Sequence, residues 1–189
     1  MTLMKSIFAF TFLFLSGYSF VMAQSIEKVT AKPRFFNRSE LSYTFGLNET
    51  FPGDKTNALH VKTVLGFALP QVGFGIGLES GSFKAANSYA GANFNTLVFS
   101  GNLHVLAKPI TDSGLNFFLK GGAGYAVKVF NGYNKGLTYE GAAGLMITTK
   151  SRSRYYLQGI YHYQEINDFI LQSGRPTIKS FGAGIGTWF

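Results

Sequence analysis

The sequence predicts an all-β chain: eight antiparallel strands run up and down and close into a transmembrane barrel, behind an N-terminal export segment. Three observations lead there. Eight runs alternate large apolar residues with small or polar ones at period two. The connections between those runs alternate short and long. After the export segment, no stretch of uninterrupted apolar residues is long enough to cross a bilayer as a helix, so any crossing must be made by strands.

Residues 1–23 have the form of a cleavable signal peptide. Lys5 supplies the positive n-region, residues 7–15 the apolar h-region, and Val21-Met22-Ala23 leads to cleavage between Ala23 and Gln24. Ser16, Gly17 and Ser19 interrupt the apolar core, which is short of the ~20 residues of a spanning helix. Residues 24–34 are expected to form a periplasmic tail and 35–189 the barrel.

The first run, 39–47, sets Leu41, Tyr43, Phe45 and Leu47 against Glu40, Ser42, Thr44 and Gly46. The second, 58–69, sets Leu59, Val61, Leu65 and Phe67 against His60, Lys62 and Gly66. The third, 72–79, alternates Val72, Phe74, Ile76 and Leu78 with Gly73, Gly75, Gly77 and Glu79. In the fourth, 95–107, Leu97, Phe99, Leu103 and Val105 oppose Thr96, Ser100, Asn102 and His104. The fifth, 115–129, opposes Leu115, Phe117, Leu119 and Tyr125 to Asn116, Lys120, Gly122 and Lys128, with Phe118 breaking the polar set. The sixth, 137–148, has Leu137, Tyr139, Leu145 and Ile147 opposite Thr138, Glu140 and Gly144. The seventh, 154–164, has Tyr155, Leu157, Tyr161 and Tyr163 opposite Gln158 and His162, with Tyr156 and Ile160 as exceptions. The eighth, 178–189, ends the chain on Phe189.

Alternation alone does not say which face is outside, since a soluble lipocalin-like barrel has the same pattern turned inward. The composition of the polar set decides. It is mostly Gly, Ser, Thr and Asn, and only 14% of all residues are charged, against the ~25–35% suited to a solvated surface. A row such as Gly73, Gly75 and Gly77 suits a narrow lumen better than a surface in water. The apolar set is therefore placed outward, toward lipid, and the sheet must close because unpaired backbone groups in hydrocarbon cost several kcal/mol each. Tyr43, Tyr125, Tyr139, Tyr155, Tyr161, Tyr163 and Phe189 are candidates for two interfacial aromatic girdles. Eight strands leave a bore only wide enough for side chains or one small ligand.

The inward charges Glu40, Lys62, Glu79, Lys120, Lys128 and Glu140 are expected to pair across the lumen, because an unpartnered buried charge is very expensive. His60, His104 and His162 fall on the same face but on three different strands, so no metal or cofactor site and no catalytic residue is expected. Gly73–Gly77 and Gly182–Gly186 neither open a helix nor carry the Lys-Ser/Thr pair of a phosphate loop. The formal net charge is +8, but the basic residues are scattered and form no nucleic-acid module, so anionic lipid is the expected counter-charge. With no cysteine there is no disulfide, lipidated Cys or thiolate metal site.

The terminal strand ending on Phe189 behind an export signal resembles the closing strand of bacterial outer-membrane barrels. The chain is similar to the small eight-stranded OmpA/OmpX-like transmembrane barrels, over about 35–189, with a composition resembling those of Bacteroidetes-type bacteria. The resemblance implies residence in the outer membrane, a structural, adhesive or surface-interaction role, and a plugged polar lumen. It further implies outer-membrane lipid and lipopolysaccharide as partners, Phe189 as part of the signal read by the barrel assembly machinery, and a monomer. OmpA-type proteins carry a peptidoglycan-binding domain after the barrel; this chain stops at the barrel, so wall anchoring of that kind is not expected. Small barrel enzymes that deacylate lipid A carry a late-strand His-x-Ser, whereas two positions beyond His162 stands Gln164, and no enzyme activity is expected. Such an enzyme, or a soluble lipid carrier, stays open as an alternative.

Overall fold

The computed structural model describes residues 32–51, 54–85, 93–129, 133–149, 151, 153–167 and 176–189. The leader, the Ala23–Gln24 junction and most of the expected tail lie outside the described residues. The strands are β1 (Arg34–Gly46), β2 (Glu49–Phe51), β3 (Asp54–Ala68), β4 (Val72–Ala85), β5 (Phe94–Leu106), β6 (Gly114–Val127), β7 (Gly136–Thr148), β8 (Arg154–Glu165) and β9 (Thr177–Trp188). Each long strand pairs antiparallel with its neighbours, and β1 pairs with β3 on one side and β9 on the other. Eight staves therefore close the barrel, and β2 is a short addition paired to the start of β3.

Both ends of the chain's barrel meet at the short-turn end. Asn37 and Phe189 exchange backbone hydrogen bonds of 3.0 and 2.8 Å, which carries the β1–β9 ladder to the last residue. The turn between β3 and β4 is closed by Leu69 N–H donating to Val72 O at 2.8 Å. The chain enters β6 through Gly114, whose φ of 96° lies where side chains other than glycine's are strained.

Alternation places the apolar set outside. Leu41, Val61, Ile76, Leu103, Leu157 and Ile185 are among a long series of large apolar side chains left exposed by the protein itself. Aromatics cluster toward the two rims of this band. Phe35, Phe67 and Phe74 adjoin one another at the turn end, and Phe45, Phe181 and Tyr161 share one register line at the loop end. From Phe35 to Phe45 is ten residue steps along β1; at ~3.4 Å per residue and ~40° tilt that is roughly 26 Å, matching the ~25 Å apolar band of membrane barrels.

The bore is filled in three layers. At the turn end Phe36, Leu106, Phe118, Met146, Tyr156 and Trp188 belong to one buried apolar cluster, with the Phe36 and Trp188 rings 4.5 Å apart. At the loop end Ala58, Phe83, Phe94, Ile166 and Ile178 form a second, in which Phe83 and Phe94 stack at 4.7 Å. Charged and polar side chains occupy the space between.

Several strand ends differ from the sequence expectation. β4 continues to Ala85, so residues 80–85 are strand rather than loop. Beyond the apolar band the polarity of the two faces inverts: Phe83 turns inward while Ser82 and Lys84 face out, which hides the period. β1 begins five residues earlier than the alternation suggests, because Phe35 and Phe36 point to opposite faces and both are apolar. β6 stops at Val127, before Lys128.

Candidate functional site

The middle layer is built by strand register. Glu40, Lys62 and Glu79 are cross-strand neighbours on β1, β3 and β4, so three charges begin in one row. Lys120 of β6 and Glu140 of β7 reach them across the bore. Glycines make room: a Cβ at Gly77 would lie 2.6 Å from Asn102 Nδ2, 2.8 Å from Ser100 Oγ and 3.1 Å from Lys62 Cε.

The network has two centres. In the first, Lys120 Nζ donates to both Glu40 oxygens, at 2.6 and 2.7 Å. Tyr156 OH donates to Glu40 Oε2 at 2.8 Å, Gln158 Nε2 at 3.4 Å, and Arg38 Nε stands 3.8 Å away. In the second, Lys62 Nζ donates to Glu140 Oε1 at 2.6 Å and lies 3.6 Å from Glu79 Oε2. A 3.7 Å contact from Lys120 to Glu140 joins the two. Every one of these side chains is at most 5% exposed. Removing one partner from such a set strands a buried charge, which is costly.

Of the six expected lumen charges, the structure brings Glu40, Lys62, Glu79, Lys120 and Glu140 into this network. The sixth requires correction. Lys128 is exposed, because β6 ends at Val127 and the alternation that would turn it inward no longer applies. Arg38, at 1% exposure, joins the bore from β1, at the position just before the 39–47 run that the alternation predicts. Tyr156 and Gln158 are the neutral donors that complete Glu40; the apolar neighbours of Tyr156 concealed its part.

The histidines separate into two places. Arg38 Nη1 donates to His104 Nδ1 at 2.7 Å, and the His104 ring packs 4.6 Å from Phe118 and 4.6 Å from Trp188. His60 and His162, on β3 and β8, meet across the bore with ring centroids 4.4 Å apart. Both approach the same carboxylate oxygen: His60 Nδ1 is 2.9 Å and His162 Nε2 3.3 Å from Glu79 Oε1. Thr44 Oγ1 is 3.2 Å from His60 Nε2, and Thr138 Oγ1 3.2 Å from His162 Nε2. Placing these histidines on separate strands concealed this meeting, since the strands lie across a narrow bore from one another.

No protein-family model matches the sequence, and no curated protein matches it. Among solved structures, the crystal structure of Neisserial surface protein A superimposes with a TM-score of 0.56, covering 82% of this chain and 95% of that one, at 9% identity. The N-terminal β-barrel domain of Pseudomonas aeruginosa OprF aligns with a TM-score of 0.46, covering 84% of this chain and all of that one, at 12% identity. The fold is that of a small eight-stranded outer-membrane barrel. At such identity the likeness concerns the fold alone.

Proposed function

We propose that this chain is an integral outer-membrane barrel with a plugged bore, whose role is structural, adhesive or otherwise exercised at the membrane surface rather than catalytic. The observation that carries this reading is the distribution of polarity: a band of exposed Leu, Ile, Val and Phe encircles a barrel whose centre holds the charges. Water is a poor solvent for the first and acyl chains for the second, so lipid outside and a sealed interior satisfy both. The same distribution speaks against the soluble carrier, which needs its apolar face inside. A diffusion channel is disfavoured by the two apolar layers that bracket the ion pairs.

Lipid contact at the loop end also has chemical support. Lys55, Lys84 and Lys179 are exposed there, suited to the phosphates of lipopolysaccharide. A lipid A deacylase would need an activated serine near a rim. Instead the His162 ring is buried against Thr138 and Glu79, and Ser180 Oγ donates to the His162 backbone carbonyl. In this reading the chain is exported with cleavage at Ala23–Gln24, handed to the assembly machinery through β9 and Phe189, and held as a monomer. The test is cell fractionation followed by gel migration with and without boiling. The protein should appear in the outer-membrane fraction as a heat-modifiable band; recovery in the aqueous phase without detergent refutes the proposal.

A further inference from the structure

Glu79 is the lumen acid with the weakest ionic compensation. Its nearest ammonium, Lys62 Nζ, stands at 3.6 Å and is drawn to Glu140 at 2.6 Å. Its closest partners are two imidazoles. The three potential ligand atoms, one each from His60, Glu79 and His162, all lie within 4.8 Å of one another. Ligands bound tetrahedrally at ~2.0–2.1 Å are about 3.3 Å apart; the two imidazole nitrogens stand 2.9 and 3.3 Å from Glu79 Oε1 and within 4.8 Å of each other, so a bound ion would draw the two rings together. We propose that His60, Glu79 and His162 form a binding site for a divalent transition metal of the zinc class inside the bore.

The chemistry fits the donor set, since two imidazoles and one carboxylate suit zinc and its first-row neighbours. His60 has the outer contact that such a ligand uses. With the ring proton on Nε2 it donates to Thr44 Oγ1, fixing the tautomer that presents the Nδ1 lone pair to the metal. His162 presents Nε2 to Glu79 at 3.3 Å and differs from His60 in having no outer partner on its other ring nitrogen. Lys62 is the opposing cation, and its close pairing with Glu140 reduces its repulsion of the ion. The ligands come from β3, β4 and β8, so the metal ties together walls that the sheet connects only around its circumference. Because apolar layers cover both ends, the ion is expected to enter as the barrel closes.

The test uses the mature chain without a histidine tag, refolded from urea into detergent with Zn2+ or Co2+ and then desalted. The expected result is one metal per folded chain by elemental analysis, a visible d–d spectrum with Co2+, and a higher unfolding temperature than that of metal-free protein. The double variant His60→Gln/His162→Gln, still heat-modifiable on gels, should retain at least tenfold less metal. A wild-type barrel that retains none, or a folded double variant that retains as much, overturns the proposal. Should the double variant fail to fold, X-ray absorption of the wild-type complex decides. Imidazole scattering from two rings supports the site, and its absence overturns it. The outcome is independent of where in the cell the barrel resides.

Discussion

Replacing Lys120 with methionine keeps most of the side chain's volume and removes one cation from the first centre of the bore. Glu40 would lose its two shortest bonds, 2.6 and 2.7 Å, and keep Tyr156 at 2.8 Å, Gln158 at 3.4 Å and the Arg38 guanidinium at 3.8 Å. Breaking a buried pair by removing one partner costs about 3–5 kcal/mol; the neutral donors that remain argue for the lower end, ~3 kcal/mol. Lys120→Met combined with Glu40→Gln removes both charges of the pair and leaves an amide to accept from Tyr156, but it also takes the nearest carboxylate from buried Arg38, so the double variant should recover only part of the loss, to about 2 kcal/mol below wild type. The assay is urea unfolding of the detergent-folded barrel, followed by the boiled-versus-unboiled band shift. With a slope of ~2 kcal/mol per molar, the single variant should lose roughly 1.5 M in midpoint and the double roughly 1 M. If the single variant loses less than ~1 kcal/mol, or the two substitutions simply add, then the short distances do not reflect a coupled pair and the plug argument fails.

Three further outcomes follow from the same geometry. Ile185 faces outward at the middle of the band, between Leu41 and Leu157; Ile185→Arg should cost about 2–4 kcal/mol in lipid vesicles, and a near-zero cost would refute the lipid-facing assignment. Trp188 is the single tryptophan and is 1% exposed inside the turn-end layer. Its fluorescence should therefore resist both acrylamide and brominated acyl chains, and quenching by the lipid probe would place it on the wrong face. Gly77→Ala pushes a methyl into Asn102, Ser100 and the Lys62 stem, and should destabilise the barrel by about 1–3 kcal/mol in the same unfolding assay.

What the sequence reveals here is tied to period two. In the membrane band, facing is set residue by residue, so alternation puts Leu41, Ile76 and Ile185 on one face and Glu40, Lys62 and Glu79 on the other, and the composition of the polar set makes the first the outer one. The residues that broke the pattern carry the information the pattern lacks. Phe118, Tyr156 and Ile160 disturb the polar face because they are buried within the bore, and Phe118 and Tyr156 belong to its turn-end layer. Phe83 ended the visible period of β4 because it helps seal the other end of the bore. Partners across the bore are a different kind of quantity. Lys120 and Glu40 are 80 positions apart, and their meeting depends on strand tilt and stagger, which alternation does not encode. The same holds for His60, Glu79 and His162, each assignable to the inner face and none assignable to the others. A narrow closed sheet makes this gap consequential: at eight strands, residues on opposite walls touch, so the chemistry of the interior is written by the shear of the barrel as much as by the residues that line it.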